Sequence, residues 1–96
     1  MAFLPVHRQG AVQNITTSGT SAQATNAVSA GVTRLRITAT ANAWVNIGHN
    51  PTASATNSFY VAANVVGEVM GCVPGDKIAA LQVSGAGTVN IVEMIS

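Results

Sequence analysis

The sequence predicts an all-β protein: a single small antiparallel β-sandwich or jelly roll of about seven to nine short strands, with little or no helix. Three observations lead there. The dominant hydrophobic period is two, and no stretch of about eleven residues carries the i, i+3, i+4, i+7 stripe of an amphipathic helix. Val-, Ile- and Thr-rich runs alternate with Gly, Pro, Asn and Ser clusters at roughly the 8–12-residue spacing of sandwich and barrel proteins. A chain of 96 residues builds one modest core and has no length for a second.

In chain order, Phe3 to Val6 reads as a short entry strand and Ala11 to Thr17 as the first full one. Residues 1–10 form an N-terminal arm, and a single sandwich domain spans 11–96. The Ser/Thr/Ala segment from Ser18 to Gly31 holds at most one weak strand, near Ser21 to Thr25. From Val32 the alternation sharpens: Leu35, Ile37 and Ala39 share one face, with Arg34, Arg36 and Thr38 on the other. Ala41-Asn42 reads as a tight connection into Ala43 to His49, so that the two runs form a hairpin. In the second run Val45 and Ile47 face the core, which turns Trp44 and Asn46 outward.

Asn50 to Asn57 is a loop by composition, because Pro51 cannot donate to a ladder and its neighbours are small or turn-forming. Ser58 to Ala62 and Val65 to Met70 follow as strands. Val73-Pro74-Gly75-Asp76 predicts a type II turn, with Pro setting φ at the second position and Gly accepting positive φ at the third. That turn feeds Lys77 to Val83. Ser84 to Gly87 then turns the chain into Thr88 to Ile95, with Val89 and Ile91 pointing inward.

Only four residues are basic and three acidic, for a net charge of +1, whereas roughly a quarter of an ordinary soluble domain is charged. Most of the surface is therefore neutral Thr, Ser, Asn, Gln, Ala and Gly. Free domains use net charge and mixed-sign surfaces to stay apart, so a nearly neutral β-protein is expected to be one copy within a larger assembly. Four cations supply too weak a field for nucleic acid or an anionic membrane surface. No apolar run approaches the 18 or so residues of a membrane span. The first residues lack the basic and long apolar regions of a secretory signal, so synthesis in a cytoplasm is expected.

Chemistry has few residues to use. Cys72 is the single cysteine, which rules out an internal disulfide and a Cys-based metal site and leaves it as small apolar filler. His7, His49, Glu68, Asp76 and Glu93 stand singly, whereas acid–base catalysis needs a titratable pair in one cleft. Gly85-Ala86-Gly87 lacks the helix and the Lys-Ser/Thr of a phosphate loop. The expectation is a non-enzyme with no cofactor, no metal and no small-molecule substrate.

Three features point instead to contact surfaces. Trp44 is outward if Val45 and Ile47 are inward, and an exposed Trp on a bland sheet is an anchor for a partner unless a loop folds over it. Arg34 and Arg36 repeat on one strand face, where their guanidinium groups can grip carboxylates of another chain. The arm from Met1 to Arg8 carries Phe3, Leu4 and Val6 and is expected to pack on a neighbour. The candidate interface residues are thus Phe3, Leu4, Val6, Arg8, Arg34, Arg36 and Trp44.

A set of segments taken together resembles the small β-sandwich virion proteins of tailed bacteriophages. They are Thr33 to Thr40, Ala43 to Gly48, Asn50-Pro51-Thr52-Ala53, Tyr60-Val61-Ala62, Pro74 to Ala79 and Gly87 to Ile91. The likeness covers about two-thirds of the chain, from Val32 onward, and rests on the order of elements more than on any one motif. It implies a capsid decoration or cement protein, assembled in the host cytoplasm into the virion. Such a protein binds the outside of an icosahedral shell, often as a trimer, with the major capsid protein and copies of itself as partners. It offers no catalytic motif. A head–tail or tail component, such as an adaptor, fibre base or spike, needs the same sandwich and the same permanence. A carbohydrate-binding module is the alternative from another class, with Trp44, Phe59 and Tyr60 as stacking residues.

Overall fold

The computed structural model describes residues 8–65 and 67–95; the entry strand expected at Phe3 to Val6 lies outside them. The described residues form eight strands and no helix: β1 (Arg8–Thr16), β2 (Ala22–Gln23), β3 (Arg34–Ala39), β4 (Ala43–Gly48), β5 (Phe59–Val61), β6 (Glu68–Gly71), β7 (Lys77–Gln82) and β8 (Thr88–Ile95). They make two four-stranded sheets, ordered β1-β8-β3-β6 and β2-β7-β4-β5. The predicted all-β sandwich is the observed fold.

The pairing is that of one long hairpin. Antiparallel pairs β1·β8, β2·β7, β3·β6 and β4·β5 fold the chain about the β4–β5 loop. Rolling that hairpin sends successive pairs to alternate sheets and adds β3·β8 and β4·β7, which is jelly-roll wrapping. Period-two alternation is the same in a jelly roll and in an immunoglobulin-like Greek key, so only the pairing distinguishes them.

One local expectation is corrected. β3 and β4 do not form a hairpin, because they lie in different sheets. Both edges of β3 are taken, by β6 and β8, and both edges of β4 by β5 and β7, leaving neither strand a free edge for the other. Residues 40–42 instead make a corner held by its neighbours. The Asn42 side-chain carbonyl accepts from the Ala63 N–H at 2.8 Å, its backbone carbonyl from Val83 N–H at 3.2 Å, and Thr40 Oγ1 from Thr88 N–H at 2.8 Å.

The core lies between the inner faces, with Leu35, Ile37, Val45, Val61, Ile78, Val89 and Ile91 fully buried. Burying a side chain of this kind stabilises the fold by roughly 1.5–3 kcal/mol. The segment between β2 and β3 is not a strand, yet Ala24, Val28 and Val32 each drop into the core. Their backbone follows the start of β7: Ala24 N–H donates to the Ile78 carbonyl, and Val28 N–H to that of Asp76, at 2.8 and 2.7 Å. The predicted type II turn is present, with Gly75 at φ +95° and Asp76 N–H donating to the Val73 carbonyl at 3.0 Å. β1 begins at Arg8, inside the span read from the sequence as arm, and a register shift between Gln9 and Val12 lets Gly10 pass close to Glu93.

Candidate functional site

The outer face of the β1-β8-β3-β6 sheet is built by register. Val12 stands opposite Val92, Val92 opposite Arg36, and Arg36 opposite Val69, so one row crosses all four strands. Val12 and Val69 are 42% and 52% exposed. The next row runs Asn14, Asn90, Thr38, with the Asn90 side-chain amide donating to Asn14 Oδ1 at 3.0 Å. On the other side, Arg34 faces Gly71 across β6, and Met94 faces Gln9.

Arg34 and Arg36 are therefore exposed on one face, as their spacing predicts, and Arg36 rises from an apolar row. Its aliphatic stem lies over Gly67, where an added Cβ would stand 3.0 Å from Arg36 Cγ and 2.9 Å from Nε. This leaves a surface on which a row of valines around Arg36 is flanked by a neutral polar row, with two guanidinium groups as its charged features. Arg8 is also exposed but does not join them: it pairs with Ile95, whose parity on β8 is that of the core residues Val89 and Ile91. Phe3, Leu4 and Val6 lie outside the described residues.

The outer face of the second sheet carries a row of Tyr60, Trp44 and Leu81. Trp44 and Tyr60 meet edge to face, with ring centroids 5.4 Å apart and planes at 71°. Beside this row the 50–58 loop folds down onto the sheet and buries Ala79 together with Pro51 and Ala53. Gln23 Nε2 donates to Asn50 Oδ1 and to the Pro51 carbonyl, Asn46 Nδ2 to the Thr52 carbonyl, and Ala53 N–H to Ser21 Oγ. Trp44 is thus outward, as its parity requires, and only half exposed.

The aromatic trio of a sugar platform is split, because Phe59 faces Val45 and packs on the core while Trp44 and Tyr60 point away from it. The amides beside the two outer rings are engaged within the loop. Asn57 Oδ1 accepts from Ser54 N–H, Ser54 Oγ and Ser58 Oγ, and its Nδ2 donates to the Thr52 carbonyl.

The titratable groups are dispersed. Asp76 Oδ2 accepts the Val73 N–H and closes its turn, and His49 sits exposed after β4. Glu93 is the residue that period-two reading missed: it occupies an inward position on β8 and is only 5% exposed. Its Oε2 accepts from both the N–H and Oγ of Ser29, at 3.0 and 3.1 Å. The sequence signal was its parity with Val89 and Ile91. Cys72 lies partly buried between the sheets, and burial first, then the charges of Asp76 and Glu93, push its thiol pKa above the ordinary value. Among the described residues no three His, Cys, Asp or Glu side chains converge to hold a metal ion. Set against models of known protein families, curated proteins and solved structures, the chain matches none of them.

Proposed function

We propose that this chain is a structural virion protein that decorates the outer surface of an icosahedral phage capsid and stabilises it, laying the outer face of the β1-β8-β3-β6 sheet on the major capsid protein. The observation that carries this reading is the four-strand row Val12, Val92, Arg36 and Val69, whose edge valines and Arg36 are exposed among the described residues. Exposed valines drawn up in one row and rimmed by polar residues favour an interaction surface. Arg36 within the row and Arg34 beside it add charge-assisted bonds to carboxylates of the partner. The resemblance of the chain from Val32 onward to phage sandwich proteins, and its seven charged residues among 96, favour permanent assembly over a free monomer. Several copies, a trimer in the simplest case, engage the shell together, so multivalency raises the effective affinity without any one strong contact.

Quantitative mass spectrometry of purified particles tests this by the copy ratio of the chain to the major capsid protein. A ratio near one, or a simple fraction of it, is expected. A ratio of a few per cent assigns the chain to the head–tail or tail machinery instead, and complete absence from particles ends the virion reading.

A further inference from the structure

β6 is an edge strand of the β1-β8-β3-β6 sheet, and its backbone shows which way that edge points. Gly71 pairs with Arg34, Met70 with Leu35 and Val69 with Arg36, and the Cys72 N–H donates to the Thr33 carbonyl at 2.9 Å. The backbone groups of Met70 and Cys72 are therefore turned toward β3, and alternation turns those of Val69 and Gly71 away from it. Among the described residues β3 is the one strand paired with β6. The edge is also apolar: Val69 and Val73 are 52% and 65% exposed, while Met70 and Cys72 pack on the core and remain partly exposed. Alongside it a groove of about 530 Å³ opens between the sheets, lined by Ile47 and Phe59 from one and Met70, Cys72 and Val73 from the other.

The sequence of this edge says what fits it. Val69-Met70-Gly71-Cys72-Val73 reads the same in both directions by kind: valine, a sulfur side chain, glycine, a sulfur side chain, valine. An isologous contact needs that self-complementarity, because each residue meets its counterpart running the other way. The run carries no charge, so two copies set no like charges against each other. Gly71, at its centre, has no reason within its own chain to be glycine. Its φ lies outside the left-handed region, and an added Cβ would stand 4.0 Å from its nearest neighbour, the Thr33 carbonyl oxygen. Glycine weakens a strand and marks places where another backbone approaches closely.

We infer that two copies of this chain pair edge to edge through β6, antiparallel about a two-fold axis at Gly71, to make one continuous eight-stranded sheet. Gly71 exchanges both backbone bonds with the partner's Gly71. Val69 stands opposite the partner's Val73, and Met70 stands opposite the partner's Cys72 at the mouth of the groove. The ladder stops at Val73, whose N–H donates to Asp76 Oδ2 and whose carbonyl accepts the Asp76 N–H, both at 3.0 Å. So short a contact falls below the roughly 800 Å² per partner of a standard interface, and the dimer is expected to dissociate on dilution. The axis runs perpendicular to the sheet, so the rows around Arg36 in both copies face the same way. This pairing does not depend on the virion reading; where that reading holds, two copies rather than three are the unit that binds.

Sedimentation velocity of the full chain over a dilution series should show a reversible monomer–dimer equilibrium. Gly71→Pro removes the outward N–H and leaves the β3 pairing intact, since an edge strand tolerates Pro where its N–H faces away from the sheet. It should weaken the dimer by at least about tenfold through the two lost bonds. A parent chain that stays monomeric at every concentration, or an unchanged dissociation constant in the variant, overturns the pairing. Met70→Cys tests the register without Pro. It sets a thiol opposite the partner's Cys72 at the roughly 4.5 Å Cα spacing of a non-hydrogen-bonded pair, which a disulfide spans. The oxidant is oxidised glutathione, used at alkaline pH because burial raises the Cys72 thiol pKa. Met70→Cys should form covalent dimers at least about tenfold faster than the parent, whose two Cys72 thiols lie two residues out of line and beyond disulfide reach. Equal rates, or no covalent dimer in the variant, overturn the pairing. Both measurements use the chain without capsids, so their failure leaves the copy ratio in particles as the separate test of the virion reading.

Discussion

Glu93 shows how a single side chain can organise a segment that has no regular structure. It stands on β8 in line with Val89 and Ile91, at a position where an apolar residue is the ordinary choice. A carboxylate buried there is tolerable only with donors, and Ser29 supplies two, from its N–H and its hydroxyl. The bond fastens the segment that delivers Ala24, Val28 and Val32 to the core. Glu93→Ala is expected to cost about 1–3 kcal/mol, because both Ser29 donors lose their acceptor, whereas Ser29→Ala keeps one of the two bonds and costs about 0.5–1.5 kcal/mol. Urea unfolding monitored through Trp44 measures both; equal midpoints for Glu93→Ala and the parent chain would show that the contact does not anchor the segment.

Connections between strands do as much as the strands themselves. The β7–β8 link passes so close to the β3–β4 corner that a Cβ on Gly87 would stand 2.7 Å from Ala41 Cβ and 2.9 Å from Thr40 Oγ1. Thr17 clamps the same point: its N–H and Oγ1 donate to the Gly87 carbonyl, and its Oγ1 accepts the Gly87 N–H at 2.8 Å. Gly85, two residues earlier in the same link, faces open space. Gly87→Ala should therefore destabilise by about 1–3 kcal/mol through overpacking, while Gly85→Ala stays within about 0.5 kcal/mol. Thermal unfolding of the matched pair checks this, and equal effects at the two positions would refute the close-approach account. The Ser84 to Gly87 composition marks a turn in the sequence, but nothing in it distinguishes a reversal within one sheet from a crossing to the other. That depends on which strand edges remain free.

For the molecule as a whole, two outer faces have different fates. The 50–58 loop is folded onto the β2-β7-β4-β5 sheet through Gln23, Asn46 and Ser21, so Trp44 sits beside a roof of its own chain. On the β1-β8-β3-β6 sheet, among the described residues, Val12 and Val69 of the four-strand row stay exposed. If that face binds the shell, Val12→Asp combined with Val69→Asp, both exposed and on edge strands, should leave the unfolding midpoint nearly unchanged and weaken association with capsids by at least about tenfold, since polar groups would enter a desolvated contact. Co-sedimentation with undecorated shells reads the loss, and undiminished binding would move the contact to another face.

Seen across these levels, period two and turn chemistry were enough to specify an all-β sandwich. They also specified the inward sets Leu35, Ile37, Val45, Val89 and Ile91, the outward parity of Arg34, Arg36 and Trp44, and the type II turn at Gly75, because each follows from backbone geometry over two to four neighbouring residues. The jelly-roll pairing, the corner at 40–42, the buried Ala24, Val28 and Val32, the roof over Ala79 and the Ser29 donors that hold the inward Glu93 were decided by the tertiary structure alone. Each depends on which distant strand occupies a free edge or covers a face, and long-range contacts of that kind leave no local period in the chain.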